Sequence, residues 1–218
     1  RQLFQITTNS RYLHPFPIMF CEVLSGSMGS KYYNKSGDVG EDEDKYKVFL
    51  TNSGSEATDL ALRLATTYHS KNSNKPEKEN NHYVITFSNS YHGHTTASLS
   101  ISPYKLRKLL PNKKGMTNFE GNVRWTYPPN MYRHPFDKKL DGGKDYIVLR
   151  DLYVKEFEKV LDSIPLDGDI TLFYEVGMSV GGVLLPPKGY LSTICNLVRN
   201  RGGIVVFDEV QTCVGRFG

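Results

Sequence analysis

The chain has 218 residues, 39% hydrophobic and 12% aromatic, and its 27 Lys and Arg against 23 Asp and Glu leave a net charge of +4. That is enough apolar material for one sizeable core or two small ones, while no apolar run approaches membrane-spanning length. The basic residues are scattered rather than gathered, so neither nucleic acid nor a membrane is an expected partner; their local crowding at Lys105–Lys114 and Arg133–Lys144 falls in polar connections and reads as solvated loop. Cys21, Cys195 and Cys213 are odd in number and widely spaced without metal-ligand spacing, so we expect reduced thiols and an intracellular setting, cytoplasmic or mitochondrial.

In chain order, Arg1 to Phe20 is mixed in character and closes on a Pro-Phe-Pro turn, and residues 26–46 carry glycines, serines and alternating charges, the composition of a flexible insertion. Val48–Leu50 is a short apolar segment read as a strand. It leads into Thr51-Asn-Ser-Gly-Ser-Glu-Ala57, after which Ala57, Leu60, Ala61, Leu64, Ala65 and Tyr68 recur at helical spacing and define the expected inner face of a helix. Ser53 with Glu56 has the pattern of a capping box. Gly54 and Ser55 at that helix start offer backbone N–H groups, a hydroxyl and the positive end of the helix dipole, which suits either a plain cap or a phosphate site.

Residues 71–82 form a charged, asparagine-rich stretch read as a second flexible insertion. Tyr83–Phe87 then reads as a strand ending in Ser88-Asn-Ser-Tyr-His-Gly-His94, where Tyr91 can stack on a flat ring and His92 can hydrogen-bond or move a proton. His92 and His94 lack a third nearby ligand, so no metal site is expected. Residues 106–150 show no clear periodicity and are expected to be irregular. Asp151 is placed as the cap of a helix reaching Ile164, with Tyr153, Phe157, Val160, Leu161 and Ile164 inward. Thr171–Tyr174 is the next strand, with Glu175 at its end. Tyr190, Ile194, Leu197 and Val198 form the inner face of a helix stopped by Gly202-Gly203.

The last strand, Ile204–Phe207, reads as buried on both faces, and Asp208 lies just beyond it. Asp208 and Glu209 either begin a solvated loop or place a carboxylate at the ligand-binding edge, where it needs a cationic or hydrogen-bonding partner. Alternating strands and helices imply an α/β fold, a mostly parallel sheet with helices on both faces. Ser55, Tyr91, Glu175 and Asp208 would then reach one edge from four strands.

Asn52-Ser-Gly-Ser-Glu-Ala57, Tyr91-His-Gly93, Glu175 followed by Gly181-Gly182 and Pro186, and Asp208-Glu-Val-Gln211 with Gly215-Arg216 occur in the order and spacing of the class III pyridoxal-phosphate aminotransferases, which the chain resembles over most of its length. Within that family it looks most like the ethanolamine-phosphate and phosphohydroxylysine phospho-lyases, through Thr8-Asn-Ser-Arg-Tyr-Leu-His14, Tyr91-His-Gly-His94 with Ile101-Ser-Pro-Tyr-Lys105, and Ser179-Val-Gly-Gly182 with Pro186-Pro-Lys-Gly-Tyr190.

The resemblance implies pyridoxal 5'-phosphate as cofactor and residues 1–218 as a partial large domain of a fold-type I enzyme, without the small C-terminal domain. It implies that Gly54 and Ser55 hold the cofactor phosphate, Tyr91 stacks on the ring, Asp208 pairs with the ring nitrogen, Val210 packs on the opposite face and Gln211 reaches the ring hydroxyl, with Glu175 and His92 lining the pocket. The family's Schiff-base lysine would fall beyond Gly218, so no residue here is assigned a catalytic role and this polypeptide alone is expected to be inactive. The implied activity of the full-length protein is a phospho-lyase reaction on a small phosphorylated amine or amino acid, carried out by a homodimer. A transaminase that passes the amino group to an oxo acid, and a truncated noncatalytic binding fragment, are the alternatives. No Gly-x-Gly-x-x-Gly follows a strand, which counts against a nucleotide-binding Rossmann protein.

Overall fold

The computed structural model describes residues 15–29, 32–33, 39–40, 46–72, 81–105, 122–136, 145–213 and 216. The chain forms two units, Arg1–Thr51 and Asn52–Gly218. In the first, helix α1 (Pro15–Gly29) is followed by the short antiparallel strands β1 (Tyr32–Tyr33) and β2 (Val39–Gly40), with Tyr32 opposite Gly40. The Pro-Phe-Pro sequence therefore opens a helix rather than making a turn. Proline is tolerated in the first turn because the N–H groups it lacks have no partner there. Tyr46–Leu50 forms no strand, so the helix start at Gly54 is not delivered by one. The Thr8–His14 stretch lies outside the described residues.

The second unit is built on four parallel strands in the order β4 (Val123–Thr126), β3 (His82–Phe87), β5 (Asp169–Glu175), β6 (Ile204–Asp208). Side chains alternate across the sheet, and each face carries its own core. Ile85, Phe87, Ile170, Leu172 and Tyr174 pack on one side against helix α4 (Tyr146–Asp162), through Tyr153, Phe157 and Leu161, and against α5 (Tyr190–Asn200), through Tyr190, Ile194 and Val198. On the other side Val84, Phe173 and Val206 meet Leu62 of helix α2 (Gly54–Asn72), with Ala97 of the short helix α3 (Thr96–Ser100). Helices thus cover both faces, as the alternating pattern predicts. The chain leaves β3 for β4 on one side and later crosses to β5 on the other, so the carboxyl edge of β3 is a switch point of the kind where α/β sheets bind ligands.

Several expectations are corrected. Residues 106–150 were expected to be irregular, but they contain β4, paired with β3 from Val84–Val123 to Phe87–Thr126, and the first turn of α4. Helix α4 starts at Tyr146 with Asp145 at its N-cap, while Asp151 sits inside the helix and pairs with Arg150. Within residues 71–82, α2 runs through Asn72 and His82 opens β3; residues 73–80 lie outside the described set. The buried stripe of α2 is Thr58, Leu62, Ala65 and His69, whereas Ala57, Leu64 and Tyr68 are exposed. The helix is rotated because polar Thr58 and His69 are carried inward, His69 Nε2 lying 3.1 Å from the Ile170 carbonyl oxygen. Strand β6 is not buried on both faces: it pairs only with β5 among the described strands, and Phe207 is 42% exposed. The glycine stop before it holds, with Gly202 at φ +72 and a Cβ on Gly203 placed 2.9 Å from the Ile170 carbonyl oxygen.

Candidate active site

At the carboxyl edge of the sheet, four consecutive residues after β3 tie the ends of the other elements together. Tyr91 N–H donates to Glu175 Oε2 at 3.2 Å, at the end of β5. His92 Nδ1 lies 2.8 Å from Asp208 Oδ2 at the end of β6. A Cβ on Gly93 would stand 2.6 Å from Ser55 Oγ, and His94 N–H donates to that hydroxyl at 3.0 Å. The segment can make this approach because Gly93 has φ +125, a conformation that side chains with a Cβ rarely adopt.

The helix start beside it is fixed locally. Glu56 N–H donates to Ser53 Oγ at 3.2 Å, and the Glu56 carboxylate reaches back to the Asn52 N–H at 2.8 Å and to the Ser53 hydroxyl. This is a capping box displaced by one residue, since the carboxylate takes the N–H ahead of the cap. Gly54 sits against Val210, whose Cγ2 would be 2.9 Å from a Cβ there. The N-terminus of a 19-residue helix, two close-packed glycines and a serine hydroxyl thus form a cradle with the character of an anion site.

The two carboxylates are register partners, Glu175 opposite Asp208 across β5 and β6. Glu175 is 4% exposed and accepts from Tyr91 N–H and Ser179 N–H. Burial pushes its carboxyl up from the usual range and nearby Asp208 adds to this, while the two N–H bonds and His92 pull the other way. The Asp208 side chain is 8% exposed; one oxygen faces His92 and the other accepts the Val210 N–H at 3.1 Å. A carboxylate only accepts, so His92 carries its proton on Nδ1, and in the neutral ring the Thr86 hydroxyl donates to Nε2 at 3.2 Å.

The structure thus gathers Gly54, Ser55, Tyr91, His92, Glu175, Asp208 and Val210 around one edge, with Gln211 exposed beyond them. Ser55 arrives from a helix start rather than from a strand, so three strands and not four supply the edge. Asp208 is not the start of a solvated loop. His92 is not a free lining group either; it is enclosed between Asp208 and Thr86. Sequence reading passed over Thr86 and Ser102. Thr86 is a hydroxyl inside an otherwise apolar strand, which was the available signal. Ser102 accepts the His92 N–H at 2.8 Å and donates to the Ser98 carbonyl at 2.7 Å, so it fixes the His92 backbone.

Residues 27–218 match the family model of the class-III aminotransferases. The chain belongs to this family. The class III chain is 31% identical over 219 residues to an alanine–glyoxylate aminotransferase 2-like protein of Drosophila melanogaster, a match that covers 100% of this chain and 38% of that protein. It is 33% identical over 177 residues to ethanolamine-phosphate phospho-lyase homolog 1 of Caenorhabditis elegans, covering 78% and 34% of the two chains. Among solved structures, a phospholyase from Arthrobacter in complex with phosphoethanolamine superposes with a TM-score of 0.67 at 27% identity, over 97% of this chain and 42% of that one. A PLP-bound aminotransferase mutant from Vibrio fluvialis, at 23% identity and TM-score 0.67 over 91% and 38% of the chains, shares the fold. The class III chain therefore spans well under half the length of these relatives, as the resemblance implied.

Proposed function

We propose that this chain is the cofactor-binding part of a pyridoxal-phosphate-dependent lyase that acts on a small phosphorylated amine. The observation that carries the reading is the His92–Asp208 pair: a carboxylate, nearly enclosed at a strand end and held by an imidazole, beside a helix-tip cradle. The residues present fit the cofactor. Gly54, Ser55 and the adjoining N–H groups suit its phosphate, Asp208 has lone pairs left for a protonated ring nitrogen, and Tyr91 and Val210 would bracket the ring, with Gln211 near its hydroxyl. When bound, the cofactor accepts the electrons of a bond broken beside the substrate nitrogen.

The chain's own residues supply position and charge for that chemistry. Asp208 would hold the ring proton in place, because His92 and the Val210 N–H fix the orientation of its carboxylate. Glu175 fixes the backbone of Tyr91 and of Ser179 by accepting their N–H groups. In the lyase reaction the substrate gives up a proton from the carbon bearing nitrogen and inorganic phosphate from the next carbon; water then completes the conversion to an aldehyde and ammonia.

The likeness to the nematode and Arthrobacter phospho-lyases supports this reading, and the likeness to the fly aminotransferase-like protein supports transaminase chemistry as the second one. Both share the first proton loss. The deciding experiment supplies phosphoethanolamine to the full-length protein with the cofactor and no oxo acid. Stoichiometric inorganic phosphate and ammonia support the lyase; dependence of turnover on an oxo acid sinks it. A homodimer of the full-length protein belongs to the same proposal.

A further inference from the structure

Lys105, which reads from sequence as the start of a solvated basic loop, is partly buried, with Nζ 5.7 Å from the Tyr91 ring centroid and 5.9 Å from that of Tyr104. Its backbone is tied down. Lys105 N–H donates to the Ser102 carbonyl at 3.0 Å, Tyr104 N–H approaches the Ser90 carbonyl at 3.4 Å, and Ser102 Oγ accepts from His92 N–H at 2.8 Å. The segment carrying the ammonium is thereby stapled to the segment carrying Tyr91 and His92.

Among the described residues no carboxylate lies within ion-pair distance of Lys105. The two carboxylates of the site are held by other groups, Glu175 by Tyr91 and Ser179, Asp208 by His92 and Val210. An ammonium packed on two aromatic rings has lost part of its hydration, and a ring face replaces only some of it. Such a group is poised to bind an anion. The cradle at Gly54 and Ser55 is assigned to the cofactor phosphate, and Lys105 approaches the site from the Tyr91 side.

We propose that Lys105 is a specificity residue that recognises the anionic group of the substrate, a phosphate monoester or a carboxylate, and so selects charged over neutral amines. This rests on the reading of the site given above. Recognition is a charge-assisted hydrogen bond from Nζ, and no covalent step is involved.

The test uses full-length protein loaded with pyridoxal phosphate and follows the change in its visible band on adding phosphoethanolamine, 3-aminopropanoate or ethanolamine. The parent protein is expected to bind one of the two anionic amines at least ~10-fold more tightly than ethanolamine. In K105Q that preference should fall by roughly 10- to 100-fold, while K105R keeps most of it and ethanolamine binding and cofactor loading stay unchanged. Loss for phosphoethanolamine alone identifies a phosphate ligand, and loss for 3-aminopropanoate alone a carboxylate. An unchanged preference in K105Q overturns the assignment, as does an equal loss for all three amines, which would mark a structural role. Should K105Q fail to fold, K105M, which keeps the aliphatic stem against the two rings and removes the charge, is read in the same way. A parent protein with no cofactor band defeats the reading of the site itself, an outcome distinct from a normal band with an unmoved K105Q.

Discussion

His92 Nδ1 and Asp208 Oδ2 stand 2.8 Å apart with side-chain exposures of 0% and 8%, so the carboxylate at the end of β6 has an enclosed donor from the loop after β3. Thr86 closes the other side of the imidazole. The three residues form a line from the sheet interior to the ligand edge, and the His92 ring stands edge-on to Phe173 at 5.7 Å, which limits its rotation.

From this relationship, Asp208→Asn in the full-length protein should lower turnover by about 100-fold or more, because a neutral amide no longer favours a protonated ring nitrogen. His92→Phe keeps the ring volume but removes one of two donors to Asp208, so a smaller loss of about 10-fold in cofactor affinity is expected. Fluorescence titration with pyridoxal phosphate measures the second effect. Equal affinity in parent and His92→Phe would show that the Val210 N–H suffices to orient the carboxylate.

Gly93→Ala places a methyl group 2.6 Å from Ser55 Oγ and 2.9 Å from Ser55 Cα at a φ that alanine rarely adopts. The clash with backbone cannot be relieved by rotating a side chain, so a destabilisation of about 2–4 kcal/mol is expected. Urea unfolding of the variant reads this directly. A midpoint within error of the parent would mean that the close approach of the Tyr91–His94 segment to the α2 tip is not rigid.

Much of this arrangement was legible because buried parallel strands are written as short apolar runs: Tyr83–Phe87 and Thr171–Tyr174 fall within one to two residues of β3 and β5 at each end. What escaped was decided by tertiary partners. Val123-Arg-Trp-Thr126 has little pattern of its own and becomes a strand because β3 offers it an unpaired edge. The phase of α2 was misread because His69 counts as polar in sequence, yet it finds the Ile170 carbonyl and is buried. At the site, residue types were readable one by one, but that His92 serves Asp208 follows only from the pairing of β5 with β6 and the fold-back of the Tyr91 segment.

A second histidine pair marks the opposite end of the strands. His82 Nε2 lies 2.8 Å from Thr171 Oγ1, Nδ1 lies 3.1 Å from Thr66 Oγ1, and the His69 ring is 5.2 Å away. Burial, then His69, push the His82 pKa down to about 4, with Asp169 opposing. The folded value is depressed, so the unfolded chain binds the extra proton first: the stability is complete above about pH 6.5 and is lost as pH falls toward 4. About 3 kcal/mol is at stake by linkage. Glu175, whose carboxyl is raised, contributes with the opposite sign just above its ordinary range, so the His82 part is isolated by comparison with His82→Gln. Urea midpoints from pH 7 to 4.5 should fall more steeply for the parent than for the variant; parallel curves would assign the acid sensitivity elsewhere.

Arg201 offers a test of the fold away from the site. Its guanidinium donates to the carbonyls of Leu161 at 3.3 Å, Ile164 at 3.2 Å and Pro165 at 3.0 Å, so the residue that ends α5 caps the end of α4. Two of those carbonyls also accept backbone N–H groups, Leu161 from Ile164 at 3.1 Å and Pro165 from Gly168 at 2.9 Å, and a cation at the end of α4 meets the negative end of the helix dipole. Arg201→Met keeps much of the aliphatic stem and removes all three bonds, so it should cost about 2 kcal/mol. Arg201→Lys supplies one point charge for a planar fork and should recover less than half of that. Because the contact lies among the loops opposite the ligand edge, cofactor affinity should stay within about 2-fold in both variants. A large loss of affinity with unchanged unfolding midpoints would show that the α4–α5 contact sets the position of β6 and, through it, of Asp208.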